Sequence, residues 1–299
     1  MKMMLHLLGW SAMALALGGC ANFKAVSAFA NQTNEVTSAV RTEFQQIGKM
    51  CSQQAEIRAV VTNATGDALL DSCRLQGDSL VAFQEVTIDT LELYARTLKM
   101  MVDDSNFDLR PSIESTGQKL ASLKTRDGSS LVSADKVGAI TKVLALLADV
   151  IVQAQREQGV RRLVEAGPDL VANARIVREF LASRGGQSAY DRWLEIVQSL
   201  ATSSAGQVAV NTPLARQEPI RSAELRREIA RTQPAIAARR GDAPSTVPRQ
   251  LVAALDDWID AVPVFQREAL RHNPKALLDR IDELRKKAIQ ARQAVQAGF

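Results

Sequence analysis

The stretch VGAITKVLALLADVIVQA, residues 137–154, decides the fold class. Val137, Ile140, Leu144, Leu147, Ile151 and Ala154 recur at alternating steps of three and four, the spacing that lines one face of an α-helix. Val143, Leu146 and Val150 add a second apolar row beside the first. A seam this wide suits antiparallel packing at shallow crossing angles, and the segment reads as the central, most buried helix of a bundle.

The same period continues in both directions. Leu80, Phe83, Leu91, Tyr94, Leu98 and Met101 share a face before the breaker DDSNFDLRP at 103–111, and a short helix follows at about 111–125. Gly167-Pro168 punctuates the chain, after which Leu170, Ala174, Val177 and Leu181 resume until Gly185-Gly186. Tyr190, Trp193, Val197 and Leu200 mark another helix, Leu251, Leu255, Trp258 and Val262 a further one up to Pro263. The last helix starts at Asn273-Pro274 and carries Leu277, Ile281, Leu284, Ala288 and Val295, with Asp282/Lys286 and Glu283/Lys287 as i,i+4 pairs outside. No run alternates at the period of two that a strand requires, and no repeat recurs at the 34- or 40-residue spacing of a solenoid.

Composition agrees. Apolar residues make up 46% of the 299, aromatics only 4%, and the abundance of Ala, Leu, Val, Arg and Gln is that of packed helices rather than aromatic-rich sheets. The formal charge is +4 with acids and bases interspersed, which argues against a nucleic-acid partner, since that needs an unbroken basic stripe.

Met1 to Leu17 combines a positive end at Lys2 with an apolar stretch too short to span a bilayer, followed by small residues, the pattern of an export signal. Within it, Leu17-Gly18-Gly19-Cys20 resembles the lipobox of bacterial lipoproteins: an aliphatic residue, two small ones, then the cysteine. The resemblance covers about twenty residues and implies cleavage between Gly19 and Cys20, a diacylglyceryl group on the Cys20 thiol and acylation of the new amine. Ala21, in place of the Asp that retains such proteins at the inner membrane in enterobacteria, implies an outer-membrane anchor in a Gram-negative envelope.

With Cys20 set aside, Cys51 and Cys73 form an even pair in an oxidising compartment, where a disulfide is expected. Each lies on an apolar stripe, Val36, Val40, Phe44, Ile47 and Cys51 on one helix and Leu69, Cys73 and Leu80 on the next, around a turn at TNATGD, 62–67. Cys73 sits closer to that turn than Cys51, so a bridge requires the first helix to end early. Two cysteines without nearby histidine are too few for a metal.

Several motifs invite chemistry and read better as structure. SADK, residues 133–136, has the Ser-x-x-Lys spacing that resembles the penicillin-binding proteins, but the companion Ser-Asp-Asn and Lys-Thr-Gly motifs are absent, and Ser133 is a natural N-cap. Asp104, Asn106 and Asp108 match the start of a calcium loop whose required Gly is Leu109 and whose terminal Glu is Ser115. His272 stands alone, since His6 lies in the leader; the RGD tripeptide at 240–242 resembles the integrin-binding sequence, a cheap match in an Arg-rich stretch. Trp193 and Trp258 lie on apolar faces and read as core. Arg216, Arg221, Arg226, Arg227, Arg231, Arg239 and Arg240 form a basic stretch that reads first as a solvated helix with Glu224/Arg227 and Glu228/Arg231 pairs, and second as an interaction patch for anionic headgroups or an acidic partner.

The expected architecture is an elongated all-α multi-helix bundle: leader 1–19, lipidated tether 20–30, bundle 31–232, Pro- and Gly-containing linker 233–250, and a C-terminal helical hairpin 251–299 packed on the bundle. The expected function is that of a non-enzymatic interaction or scaffold protein at the periplasmic face of the outer membrane, with the membrane and an unidentified envelope protein as partners and no cofactor, metal or catalytic residue. An immunity or inhibitor lipoprotein against a toxin or hydrolase is the alternative, and an envelope hydrolase the third reading.

Overall fold

The computed structural model describes residues 23–62, 79–103, 108–123, 133–153, 156–183, 247–271 and 274–297. Among these residues the chain forms helices and no strand: α1 (Phe23–Thr62), α2 (Ser79–Asp103), α3 (Arg110–Ser122), α4 (Ala134–Gln153), α5 (Arg156–Glu165), α6 (Gly167–Ser183), α7 (Val247–Glu268) and α8 (Lys275–Ala297). The all-α bundle expected from periodicity is the fold observed. At 1.5 Å per residue α1 alone is about 60 Å long, which makes the bundle elongated.

Its centre is α2, and not the 137–154 helix. Between residues 82 and 103 only Arg96, Lys99 and Asp103 are exposed, because α1, α3, α4, α5 and α6 all pack against α2. By contrast α4 buries one face, Ile140, Val143, Leu144, Leu147 and Val150, and exposes Thr141, Lys142, Ala145 and Val152. The apolar seam on α4 was legible; the number of helices competing to cover it was not.

α1 begins earlier than the tether expected over 20–30. Ala25, Val26, Phe29 and Ala30 are wholly buried, extending the stripe of Val36, Val40 and Phe44 back to the first turn, so 23–30 is core helix. Nor is the whole of 233–250 linker, since Val247 to Gln250 open α7. Nor does α7 stop at Pro263: the ring faces solvent, where the carbonyl that loses its N–H partner is free to bind water, and the helix runs on so that Phe265 enters the core.

Contacts across the bundle fix the helix directions. The ring of Phe29 stacks on Phe265 with centroids 4.0 Å apart, and on Trp258 at 6.0 Å. The Trp258 indole N–H donates to the Thr33 hydroxyl at 2.9 Å, and that hydroxyl donates to the carbonyl of Phe29 at 3.0 Å. As α1 advances from 29 to 33, α7 retreats from 265 to 258, so the two are antiparallel. α8 folds back along α7 and α1, while Asn173 of α6 reaches the Ala139 carbonyl of α4 at 3.3 Å. α5 and α6 are almost continuous, broken at Ala166-Gly167-Pro168, where a Cβ on Gly167 would run into the Gln266 side chain of α7.

Most buried polar side chains on α1 and α2 are threonines satisfied within their own helix, with Gln32, Glu43 and Gln84 buried beside them. Thr37 donates to Thr33, Thr87 to Phe83, Thr90 to Val86 and Thr97 to Leu93, each to the carbonyl four residues back at 2.8–2.9 Å. This lets a small, partly polar side chain occupy the core at a close helix–helix approach without an unpaired hydroxyl.

Thr33→Val keeps the shape but leaves the Trp258 N–H buried without an acceptor. Urea melts followed by circular dichroism should show a loss of about 1–3 kcal/mol, and a loss near zero would mean the bond contributes nothing.

Candidate functional site

Among the described residues a polar cleft of about 340 Å³ lies between α2 and α3, lined by Asp89, Glu92, Arg96, Ser112, Thr116 and Lys119. Asp89 and Glu92 are three residues apart on α2 and so share a face. Arg41 reaches them from α1: its terminal nitrogen lies 2.6 Å from Asp89 and 2.9 Å from Glu92, and its Nε–H donates to Glu92 at 3.0 Å. Lys119 of α3 approaches the other Asp89 oxygen at 3.4 Å. Burial works against the Arg41 charge, but bonds and attraction to Glu92 and Asp89 outweigh it and hold its pKa above the ordinary value.

This arrangement consumes its own charges. The guanidinium is engaged by two carboxylates, and the Thr116 hydroxyl donates to the Ser112 carbonyl at 2.9 Å. The cluster therefore braces three helices and presents Arg96 and the outer part of Lys119 to solvent. Similar braces cross other seams. Arg178 of α6 grips Asp256 of α7 with two bonds, at 2.9 and 3.1 Å, which raise the Arg178 pKa. Arg292 of α8 meets Glu35 of α1 at 3.3 Å. The Glu283/Lys287 pair expected along α8 gives way to other partners: Lys287 turns to Asp257 of α7 at 2.6 Å, and Glu283 takes Arg280 of α8 itself at 2.7 Å. Asp257 is the more buried carboxylate, where a partner's charge is less screened than on the outer face of α8.

Of the residues singled out from sequence, Gly19, Cys20, Cys73, Asp104, Asn106, Trp193, His272 and the basic set Arg216, Arg221, Arg226, Arg227, Arg231, Arg239 and Arg240 lie outside the described residues. Cys51 is on the α1 backbone, which continues as helix to Thr62, so α1 does not take the early ending that a Cys51–Cys73 hairpin bridge requires. The Ser133 carbonyl accepts the N–H groups of Lys136 and Val137 at the start of α4, and the Lys136 ammonium faces Glu179 at 3.5 Å. Asp108 is spent locally, accepting the Arg110 N–H at 3.1 Å at the entry to α3, and Leu109 at the glycine position of a calcium loop is buried. Trp258 is core, as its stripe implied. Among the described residues no group of three or more His, Cys, Asp or Glu is placed to hold a metal, and no helix is long and apolar enough to cross a membrane.

Three positions escaped sequence reading. Asn173, wholly buried, donates to the carbonyls of Asp169 and Ala139 while its Oδ1 has no protein partner. Its signal was a polar residue between Leu170, Ala174 and Val177 on one stripe. The Arg41–Asp89–Glu92 brace joins residues about fifty apart and left no local trace. Tyr94 is fully buried, donates its O–H to the Leu163 carbonyl at 3.0 Å, and has its pKa pushed well up by burial alone.

No family model, curated protein or solved structure matches the chain.

Two outcomes follow from this geometry. Arg41→Met should cost roughly 1 kcal/mol in low salt and less in high salt, since the pairs are partly solvent-exposed; a loss independent of salt would assign the effect to packing instead. For Tyr94, the folded chain keeps a proton that the unfolded chain releases above the ordinary phenol value of 10.0, so stability should fall as pH rises beyond that point, by up to about 1.4 kcal/mol per unit. In alkaline urea melts Tyr94→Phe should flatten that slope, and an unchanged slope would clear Tyr94 of the effect.

Proposed function

We propose that the chain is a bacterial envelope lipoprotein, anchored through Cys20 at the periplasmic face of the outer membrane, that acts as a non-enzymatic helical interaction or scaffold protein. The observation that carries this reading is the position of Leu17-Gly18-Gly19-Cys20 three residues ahead of a helix whose first turns are already in the core. Cleavage before Cys20 would discard the apolar leader and keep every residue of α1. A cut ten residues later would remove Val26 and Phe29, and with Phe29 the stacking that joins α1 to α7.

The described surface supports contact with another protein. Its helices carry charges already organised into pairs, and the α2–α3 cleft offers hydrogen-bonding groups at its rim.

Intact-mass measurement of the membrane-extracted protein tests the assignment directly. The expected mass is that of a chain beginning at Cys20 with three acyl groups. Cys20→Ser should shift the protein from the membrane fraction to soluble material or leave the leader uncleaved. An unmodified N-terminus at Ala21 or earlier would refute the anchor.

A further inference from the structure

We infer that the end of the bundle where α1 begins rests on the bilayer surface, with the helices standing away from it; this rests on the reading of Cys20 as the lipid anchor. Three residue steps separate Cys20 from Phe23, a reach of at most about 11 Å in any conformation. There is no slack beyond it. Ala25 and Val26 have no exposed surface, and the Arg156 guanidinium covers the Phe23 ring at 4.5 Å while donating to the carbonyls of Met101 and Val102 at the end of α2. Acyl chains on Cys20 would thus hold Phe23 within about the thickness of one headgroup layer.

The helix directions determine what else lies at that end. α7 is antiparallel to α1 and its Phe265 is level with Phe29, so the turn between α7 and α8 lies level with the first residues of α1. The Arg156 contacts bring the junction of α4 and α5 to the same place. Of the three large apolar side chains exposed among the described residues, two are here: Val152, 64% exposed in the last turn of α4, and Leu278, 37% exposed at the start of α8. Lys24, Arg271 and Lys275 are exposed at the same end, with Asp279 next to Leu278 in sequence, and Arg271 is in turn paired with Glu268 at 2.8 Å. Asp103 and Glu157 are exposed at this end too, so the charge excess is small, and exposed apolar side chains with flanking bases form the pattern that fits a phospholipid interface. The level where Phe44 of α1 meets Phe180 of α6 and where Lys136 of α4 faces Glu179, about 30 Å along α1 from Phe23, would lie well away from the membrane.

The test uses acylated full-length protein in vesicles of phosphatidylethanolamine and phosphatidylglycerol carrying some nitroxide-headgroup lipid, with a fluorescent amino acid placed at position 276 or at position 135. Ala276 and Asp135 are both exposed, one in the first turn of α8 and the other in the first turn of α4, at these two levels of the bundle. Quenching should be several-fold stronger at 276 than at 135. A flexible insertion of about twenty residues after Ala21, adding roughly 25 Å of reach, should reduce the difference. Equal quenching at the two positions in protein whose mass confirms three acyl chains would overturn the orientation and leave the anchor intact. A mass without acyl chains would overturn the anchor and the orientation with it, and quenching at 276 unaffected by the insertion would overturn the short link as its cause.

Discussion

The bond from the Trp258 indole N–H to the Thr33 hydroxyl joins residues 225 apart and holds the bundle closed. Around it Phe29 is stacked between Trp258 and Phe265, so the first helix described and the C-terminal hairpin share one aromatic centre. A single threonine makes this possible because its hydroxyl accepts from the indole while donating to the Phe29 carbonyl, leaving both polar groups satisfied in an apolar setting. The consequence is that α8, although last in sequence, packs along α1, and the bundle includes the segment that reads in sequence as an appended hairpin.

With the two ends of the chain bound together, α2 is left as the axis. It touches five other helices and pays for that burial with threonines bonded to their own backbone, not with a purely aliphatic surface. Some charged side chains meet across the seams, where Arg41 and Arg178 each bridge helices far apart in sequence and Arg280 ties α8 to α7. Such pairs add little stability individually where water reaches them. They do define which helix faces which neighbour, since an unpaired carboxylate in a half-buried seam is unfavourable.

Much of the helix inventory was legible because apolar residues at steps of three and four impose a face on any helix that contains them. The 137–154 segment declared its face clearly, and the face is buried. Its rank in the bundle was not legible, since density of apolar residues measures how much a helix could bury and not how many neighbours reach it. The first turns of α1 were misread as a tether because the reading began from the cysteine and allowed a spacer after it, while Ala25, Val26, Phe29 and Ala30 continued the period in plain view. Pro263 was misread as a stop because proline can kink a helix without ending it, and here the packing of Phe265 on Phe29 holds the next turn in place.

The residues alone determined the all-helical class, the faces of the helices and the lipobox-like stretch before Cys20, because each depends on neighbours within a few positions. The centrality of α2, the Arg41 and Asp257 braces and the shared aromatic centre depended on packing. Their partners lie about fifty to more than two hundred residues apart in several cases, and a side chain chooses among such partners by burial, distance and screening, quantities that exist only once the helices have come together.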